Sequence, residues 1–351
     1  MGNRFYTDRY KVLASTHLKR LCYSNGQIWI EDENHKKNRV KIRLSKLSQY
    51  RLAERILRLT PRVGFTVYDE FYFSLRGCLF RVNEKSMEAQ VVYRFRPNMN
   101  NPLSICKCQW DQQENIYWGE YWPNPNHEQV SIFAFDGKQV TKVCTLLDIK
   151  HVHTIVWDQY RDCFWITTGD TDTESRIYRA SRTFDELTIV FSGQQKYRTC
   201  VLFPMEQGLL YATDSPVSPN ELLFSRFHQN QFLDPVVITS MPGPCIYGQE
   251  FHGLFCFSTS VESNPNQHVI KYWLSWKIGP GNVDRQSHVI CVTHDLKISE
   301  VFSAKKDIHN MAILGFGNIQ LTYDAYTDAL ACYCSSLKKY DGQSVLLTLR
   351  N

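Results

Sequence analysis

The 351-residue sequence has no run of 18 consecutive apolar residues, so it predicts no transmembrane helix. Its first residues, MGNRFYTDRYKVLAS, lack the uninterrupted apolar core of a signal peptide, and we therefore expect a cytoplasmic protein. It has neither a G-x-x-x-x-G-K-[ST] phosphate loop nor a G-x-G-x-x-G dinucleotide loop. It carries no recognised RNA or DNA motif and a net charge of only +5, so we expect no nucleic-acid partner.

The sequence also lacks the paired C-x-x-C spacing of structural zinc sites, although it contains twelve cysteines. Most of them lie inside apolar, strand-like runs such as KVCTLL and LFCFST. A free cysteine behaves as a small buried hydrophobe, and nothing in the sequence points to an oxidising compartment. We therefore predict reduced thiols in the core, not disulfides.

Charge is unevenly distributed along the chain. Residues 1–62 contain 15 Lys and Arg against 5 Asp and Glu, whereas the remainder is mildly acidic. A basic segment on an acidic body is consistent with an anionic partner for that segment, and equally with an ordinary solvated surface.

Short apolar runs that lead into polar clusters recur about every 45 residues. The aligned positions are Trp29, Tyr72, Tyr117, Trp165, Tyr211 and Cys256, and a longer last step contains the polar stretches ESNPNQH and KIGPGNVDRQS. Several periods resolve into four short strands, as in HVHTIVW, CFWITTG, SRIYRAS and LTIVFSG. Four strands at this period predict the blade of a β-propeller, because a single four-stranded sheet buries both of its faces only by stacking on neighbours.

We therefore predict an all-β fold, a single propeller domain over residues 1–351 with seven four-stranded blades, six being the alternative. The last period shows three clear strands, and the N-terminal stretch FYTDRYKVLA is expected to complete it.

One segment, 44–59, breaks the strand pattern. Its apolar residues recur at helical spacing and the rest are mostly basic, which predicts an inserted amphipathic helix between the first and second blades. Two interpretations stay open: the helix docks on an anionic inner membrane, or it packs its Leu/Ile stripe over the side of the propeller. The second is favoured.

Antiparallel alternation brings two parts of each blade to the same face: the start of the first strand and the loop between the second and third strands. His151 and His153 start one blade, and Asp170 lies in its second loop. Applied to every blade, this mapping predicts one polar rim. Its candidate catalytic residues are Glu120, His153, Asp170, Arg198 and Asp214. Its candidate substrate-binding residues are Arg76, Trp118, Tyr121, His151, Tyr247, Glu262 and His309.

The segments GEYWPN, HVH with TGDTDTE, and TDSP resemble those of the sialidase-like (BNR-repeat-like) propellers often encoded among bacterial surface-polysaccharide genes. The matching residues are 119–121, 151, 153, 168–174 and 213–216, within a region of about 110–260. The resemblance implies a propeller associated with glycans. The S-x-D-x-G-x-T-W box of true sialidases is absent, and so is a recognisable Tyr–Glu nucleophile pair with three arginines, so sialidase activity is not expected.

Three functions remain open at this point. A glycoside hydrolase would use two of the rim carboxylates, and a polysaccharide lyase would use a His or Tyr base with an Arg such as Arg198. A non-catalytic scaffold would bind a glycan or protein through exposed aromatics such as Trp118, Tyr121 and Trp122. We favour an enzyme acting on a bacterial polysaccharide or glycoconjugate, without a cofactor. A divalent metal on His151, His153 and Asp170 is the alternative. The sequence gives no oligomeric state.

Overall fold

The protein is described here from a computed structural model, which covers residues 4–110, 112–265 and 276–349. Most of these residues lie in short strands, as the Val-, Ile-, Tyr- and Phe-rich runs predict. In chain order the strands are β1 (Arg4–Asp8), β2 (Lys11–Ser15), β3 (Lys19–Ser24), β4 (Gln27–Asp32), β5 (Lys37–Arg39), β6 (Gly64–Val67), β7 (Glu70–Leu75), β8 (Cys78–Asn83), β9 (Glu88–Arg94), β10 (Cys106–Trp110), β11 (Gln113–Gly119), β12 (Val130–Phe135), β13 (Val140–Leu146), β14 (Val152–Asp158), β15 (Cys163–Thr168), β16 (Arg176–Ser181), β17 (Leu187–Ser192), β18 (Thr199–Met205), β19 (Gly208–Thr213), β20 (Asn220–His228), β21 (Gln231–Phe232), β22 (Val236–Met241), β23 (Cys245–Phe251), β24 (Leu254–Thr259), β25 (Gln286–Val292), β26 (Ile298–Lys305), β27 (Asn318–Asp324), β28 (Ala329–Ser335) and β29 (Gln343–Thr348).

The strands form seven antiparallel sheets, one for each blade of a propeller, which confirms the predicted fold and the count of seven. The blades are β2–β5, β6–β9, β10–β13, β14–β17, β18–β20 with β22, β23–β26, and β27–β29 with β1. The short strand β21 adds a hairpin to the fifth blade. The first strands of successive blades contact one another around the axis, so the sheets form a closed ring.

The N-terminal strand closes the ring, as predicted. Strand β1 pairs antiparallel with β29, with Arg4 opposite Thr348 and Asp8 opposite Ser344. The chain then turns directly into β2, the inner strand of the first blade. The last blade is thus built from both ends of the chain.

Second strands carry the largest buried side chains, because each is covered on both faces by neighbouring blades. Every residue of β15 is buried, including Phe164 and Trp165, and so is every residue of β19, including Tyr211. Each large apolar side chain removed from water contributes about 1.5–3 kcal/mol. Of the twelve cysteines, eleven are buried, one is half-buried and none forms a disulfide, which confirms their assignment as core thiols.

The repeat alignment was wrong in its first period. Trp29 lies in β4, the third strand of its blade, whereas the other five aligned residues lie in second strands. The helical insertion after β5 lengthens this period, so a constant spacing placed the first aligned residue in the third strand and not in the second. The polar insertion predicted in the sixth blade includes residues 266–275, which lie outside the described residues.

The predicted insertion 44–59 contains a 3-10 turn over Lys46–Gln49 and an α-helix, α1 (Arg51–Leu57), between the first two blades. Arg58, with a φ of 51°, ends the helix. A second short helix, α2 (Met311–Leu314), precedes the last blade. Neither helix within the described ranges has the length and apolarity needed to span a membrane.

The favoured packing of the Leu/Ile stripe is correct at the two ends of the segment, where Leu59 is buried and Leu44 packs against the core, but wrong between them. The apolar side chains Leu47, Leu52 and Ile56 are exposed, not packed over the propeller. The helix instead contacts the protein through its charged side, because Arg51 and Arg55 form ion pairs with Asp341 and Asp307.

Candidate functional site

The candidate site lies where the inner strands begin, which we call the upper face of the propeller. His151 directly precedes β14, His153 is its second residue, and Asp170 follows β15 in the same blade. Arg198 precedes β18 in the next blade, and Asp214 follows β19. The antiparallel register thus brings together residues that are up to 63 positions apart. These five side chains form one cluster above the central channel.

The two histidines have a defined protonation pattern. His151 Nδ1 donates to the carbonyl oxygen of Trp122 at 2.9 Å, and His153 Nδ1 donates to that of Thr199 at 3.2 Å. A carbonyl only accepts, so each neutral ring carries its hydrogen on Nδ1 and leaves Nε2 as a bare acceptor. The two Nε2 atoms face each other at 3.2 Å. Neither ring has the carboxylate hydrogen bond that would make it a simple channel lining.

Burial keeps this pair neutral. Desolvation lowers the pKa of His151, and desolvation together with the nearby His151 lowers the pKa of His153 to about 3. Two lone pairs therefore oppose each other near neutral pH with no proton between them. Such an arrangement is stabilised by a cation held on both nitrogens.

Asp170 provides the negative charge beside the pair. Its Oδ1 lies 3.8 Å from His151 Nε2 and 3.9 Å from His153 Nε2. Burial alone would raise the pKa of Asp170, but the neighbouring His151, His153, Arg198 and Lys150 hold it below the ordinary value. Its side chain is 31% exposed, which makes it the most accessible member of the cluster.

The backbone at 169–170 is shaped for this packing. A Cβ on Gly169 would lie 2.8 Å from side-chain atoms of both Arg198 and His153, so only glycine allows them to pack against this strand end. Asp170 adopts a φ of 112°, which L-residues rarely adopt. This turn directs the carboxylate back toward the histidines.

Arg198 links the two carboxylates of the cluster. Its Nη2 lies 3.4 Å from Asp170 Oδ1 and 3.9 Å from Asp214 Oδ2, and its Nη1 donates to the Asp170 carbonyl at 2.9 Å. The buried Nε has no partner among the described residues. An unpartnered buried N–H on a cation is costly in a closed protein and suits an anionic ligand.

Asp214 and Glu262 lie deeper and hold protons more strongly. Burial raises the pKa of Asp214, against the effect of Arg198, and the Cys200 thiol donates to its Oδ2 at 3.2 Å. Burial, then the charge of Asp214, raises the pKa of Glu262 to about 7. Ser260 Oγ donates to Glu262 Oε1 at 2.6 Å.

The donor set fits a divalent metal. The Nε2 atoms of His151 and His153 and a carboxylate oxygen of Asp170 all lie within 4.8 Å of one another, and His153, Cys200 and Asp214 form a second such group. With metal–nitrogen bonds of about 2.0–2.1 Å, two ligands of a tetrahedral site are about 3.3 Å apart, close to the observed Nε2 separation. The backbone hydrogen bonds on both Nδ1 atoms are the second-sphere contacts that orient histidine ligands.

Two of the predicted substrate-binding residues, Tyr121 and Glu262, lie beside this cluster, and Tyr121 also contacts the cation Arg62. The centre of the Tyr121 ring lies 4.4 Å from that of the His151 ring, and the Arg62 guanidinium lies 4.9 Å from the centre of the same tyrosine ring. Burial raises the pKa of Tyr121 to about 12, so its hydroxyl stays protonated. Glu262, the second, acts electrostatically on Arg198.

Other predicted residues lie elsewhere. Glu120 is buried in a separate ion pair with Arg96 at 3.0 Å and accepts from the Ser131 N–H at 2.8 Å. Arg76 is exposed in the tight turn after β7, and His309 is exposed before α2. None of the side-chain contacts described for these three residues reaches the cluster, although the Glu120 carbonyl oxygen accepts from the Val152 N–H at 3.0 Å, between the two histidines.

The expected aromatic platform is not on the surface. Trp118 is buried among Tyr93, Phe95 and Phe133, and Trp122 is buried beneath Arg96. Trp118 lies in β11 and its ring fills space between sheets, whereas Trp122 lies after the end of that strand.

Tyr247 lines the central channel below the site. This cavity has a volume of about 570 Å³ and is bounded by inner strands of all seven blades. Its wall includes Arg62 and Cys200 at the upper end and Tyr160 and His294 at the lower end. The polar cluster therefore forms the upper boundary of the channel.

The mapping from sequence missed Arg62, Lys150 and Cys200. Arg62 precedes β6 as Arg198 precedes β18, and Cys200 is the second residue of β18, with its thiol on Asp214. Lys150 directly precedes the first histidine, with Nζ 3.7 Å from Asp170 Oδ2. Aligning the starts of all inner strands would have identified Arg62.

No family model matches this sequence, and no curated protein matches it either. Solved propeller structures do resemble it over 99% of the chain. An oligogalacturonate lyase in complex with manganese has a TM-score of 0.58 at 11% identity, over 91% of its length. An oligogalacturonate lyase from Vibrio parahaemolyticus has 0.56 at 8% identity, over 97%.

A chain of the mitotic checkpoint complex also has a TM-score of 0.56, at 6% identity over 95% of its length. At these identities the likeness shows the fold alone. None of the three is named as a sialidase-like protein, so that resemblance stays a prediction.

Proposed function

We propose that this propeller binds an acidic glycan at its upper face and cleaves it by elimination, with a divalent cation held by His151, His153 and Asp170. The observation that carries the proposal is the pair of bare Nε2 atoms facing each other at 3.2 Å beside an accessible carboxylate and the cations Arg198 and Lys150. Two solved structures with this fold are named as oligogalacturonate lyases, and one of them contains manganese, which agrees with the proposal.

Charge favours an acidic sugar as the substrate. Lys150 and Arg198 contact Asp170, and Arg62 lies over the ring of Tyr121, which packs against His151. The unpartnered Arg198 Nε is a donor for one oxygen of a uronate carboxylate. A bound divalent cation would withdraw electron density from that carboxylate and make the adjacent C–H more acidic.

Glu262 is the group suited to accept the proton. In the elimination, the base removes a proton from the carbon next to the carboxylate and leaves the electron pair of that C–H bond behind. The electron pair forms a double bond to the next carbon and breaks its bond to the glycosidic oxygen, which takes a proton from solvent. A carboxylate with a pKa of about 7 binds this proton well at neutral pH.

Hydrolysis fits the cluster less well. A glycosidase needs two carboxylates free to act as acid and as nucleophile or base. Here Arg198 contacts both Asp170 and Asp214, and Glu120 is held by Arg96 away from the cluster.

A panel of acidic and neutral polysaccharides tests the proposal. With manganese present, we expect ultraviolet-absorbing unsaturated products from uronate-containing polymers and none from neutral glycans, and a chelator should abolish the signal. New reducing ends without unsaturation would assign hydrolysis instead. Saturable binding without any product would assign a non-catalytic, glycan-binding scaffold.

The pH dependence of the rate should follow Glu262. Its pKa is raised to about 7 by burial and by Asp214, with Arg198 opposing, and the base form is the deprotonated one. We therefore expect kcat/KM to rise with pH and level off above about pH 7. Glu262→Gln should lower the rate about 10²–10⁴-fold and remove this limb from the residual activity. An unchanged profile in the variant would exclude Glu262 as the base.

A further inference from the structure

In the insertion between the first two blades, the helix α1 turns its charged side toward the protein and its apolar side toward solvent, the opposite of an ordinary surface helix. In α1 the residues at spacing i, i+3 and i+4, namely Arg51, Glu54 and Arg55, face the protein. Leu52 and Ile56, four residues apart on the other side, are 55% and 46% exposed. A surface helix normally buries its apolar stripe and exposes its charges.

Ion pairs hold the helix in this orientation. Arg51 binds Asp341 with both Nε and Nη2, at 3.0 and 2.6 Å, and its Nη1 contacts Glu54 at 2.6 Å. Glu54 is buried and accepts a hydrogen bond from Tyr23. Arg55 binds Asp307 at 2.7 Å and the Leu314 carbonyl at 2.7 Å. These contacts fix the orientation of α1 and therefore keep Leu52 and Ile56 exposed.

Neighbouring segments extend the apolar surface. Arg55 ties α1 to both Asp307 and α2, so Ile308 and Ile313 lie next to the helix, and Trp276 Nε1 donates to the Ile308 carbonyl at 3.0 Å. We call the combined surface the docking face. Its exposed apolar side chains are Leu47, Tyr50, Leu52, Ile56, Leu57, Trp276, Ile308 and Ile313.

The exposed charges named around the docking face are basic, whereas Asp307 and Asp341 are half-buried and paired with Arg55 and Arg51. Arg43, Lys46 and Arg58 are exposed along the same segment, and its single acid, Glu54, is buried. Lys338 and Lys339 are exposed in the loop that carries Asp341. Exposed leucines and isoleucines with Trp and Tyr, surrounded by lysine and arginine, are the composition that binds the interface of an anionic bilayer.

We propose that the docking face binds the surface of an anionic phospholipid bilayer. The apolar side chains enter the headgroup region, and the surrounding cations attract acidic lipids. The segment that follows α1 carries Arg62 to Tyr121, so the docking face and the polar cluster share the upper face. The proposal does not depend on the reaction assigned to that cluster.

Vesicle co-sedimentation of the full chain tests this inference. We expect binding to phosphatidylcholine vesicles that contain phosphatidylglycerol, much weaker binding to phosphatidylcholine alone, and weakening by salt. Lys46→Glu with Arg58→Glu should lower the affinity about 30-fold or more. Lys138→Glu with Lys297→Glu makes the same charge change in turns between third and fourth strands, at the opposite face, and should leave binding within about twofold of the unsubstituted protein.

The apolar contribution has its own variants. Leu52→Gln with Ile56→Gln should lower affinity about tenfold or more, whereas Val236→Gln with Val237→Gln, on an exposed outer strand, should not. Arg51 and Arg55 stay unchanged because they hold the helix. Equal binding to neutral and anionic vesicles would overturn the proposal. So would a dimer in solution that the Leu52/Ile56 variant dissociates, since the docking face would then be a contact between two copies of this chain.

Discussion

Replacing His153 with alanine will lower the rate of elimination on an acidic glycan by about 10³-fold and will remove divalent metal from the purified protein. His153 supplies one of the two facing Nε2 atoms and is oriented by the Thr199 carbonyl. Without it, His151 and Asp170 are too few ligands to hold a metal tightly. Metal content by mass spectrometry and initial rates on the best substrate measure both effects.

His309→Ala is the matched control. His309 is exposed at the same face but lies outside the cluster, so its variant should keep metal and activity. Thermal unfolding of both variants separates loss of the site from loss of the fold. Full activity in a folded, metal-free His153→Ala variant would contradict the proposed role of the histidine pair.

Replacing Arg20 with methionine is expected to lower the free energy of unfolding by about 3–5 kcal/mol. Arg20 joins the first blade to the last: its Nη1 contacts Asp324 at 3.0 Å and its Nη2 contacts Glu31 at 3.1 Å. The guanidinium also lies between the rings of Tyr10 and Tyr326, at 5.0 and 4.8 Å. Its loss leaves two buried carboxylates without a counter-charge, which urea unfolding will report.

Arg39→Met is the comparison, because Arg39 is exposed on the outer strand β5 and its loss should cost less than about 0.5 kcal/mol. Adding Glu31→Gln and Asp324→Asn to Arg20→Met should recover part of the lost stability, since the unpaired charges are then gone. Equal midpoints for the Arg20 and Arg39 variants would show that the buried ion pairs contribute little to closing the ring.

The blade architecture was predictable because apolar, strand-like runs repeat about every 45 residues and can be aligned in the sequence. The runs predicted for 151–193 and 199–239 match β14–β17 and the four main strands of the fifth blade. The period failed only at Trp29, where an insertion of different structure interrupts it. Even the use of the N-terminal strand in the last blade followed from counting strands.

Strand direction predicted which face of the propeller the cluster residues lie on, but not which of them are in contact. Alternation placed His151, His153, Asp170, Arg198 and Asp214 at one face, and the structure brings them into contact. Strand alternation does not say how far from the propeller axis a side chain lies. The prediction therefore included Glu120, which is buried in an ion pair with Arg96, and Trp118, which is buried within a blade.

The helix shows a second limit of sequence patterns. Apolar spacing in 44–59 predicted a helix, but the same spacing suggested the wrong buried side. The partners that reverse it, Asp307 and Asp341, are more than 240 residues away in sequence. A local pattern does not contain such distant charges.

Because β1 pairs with β29 to complete the last blade, the two ends of the described chain are neighbours, with Arg4 paired to Thr348. A short linker between them would convert the polypeptide into a cycle without moving any blade. New termini could then be placed between any two other blades, giving a circular permutant with the same ring and the same polar cluster. The pairing of β1 with β29 is thus one more ladder of an unbroken ring.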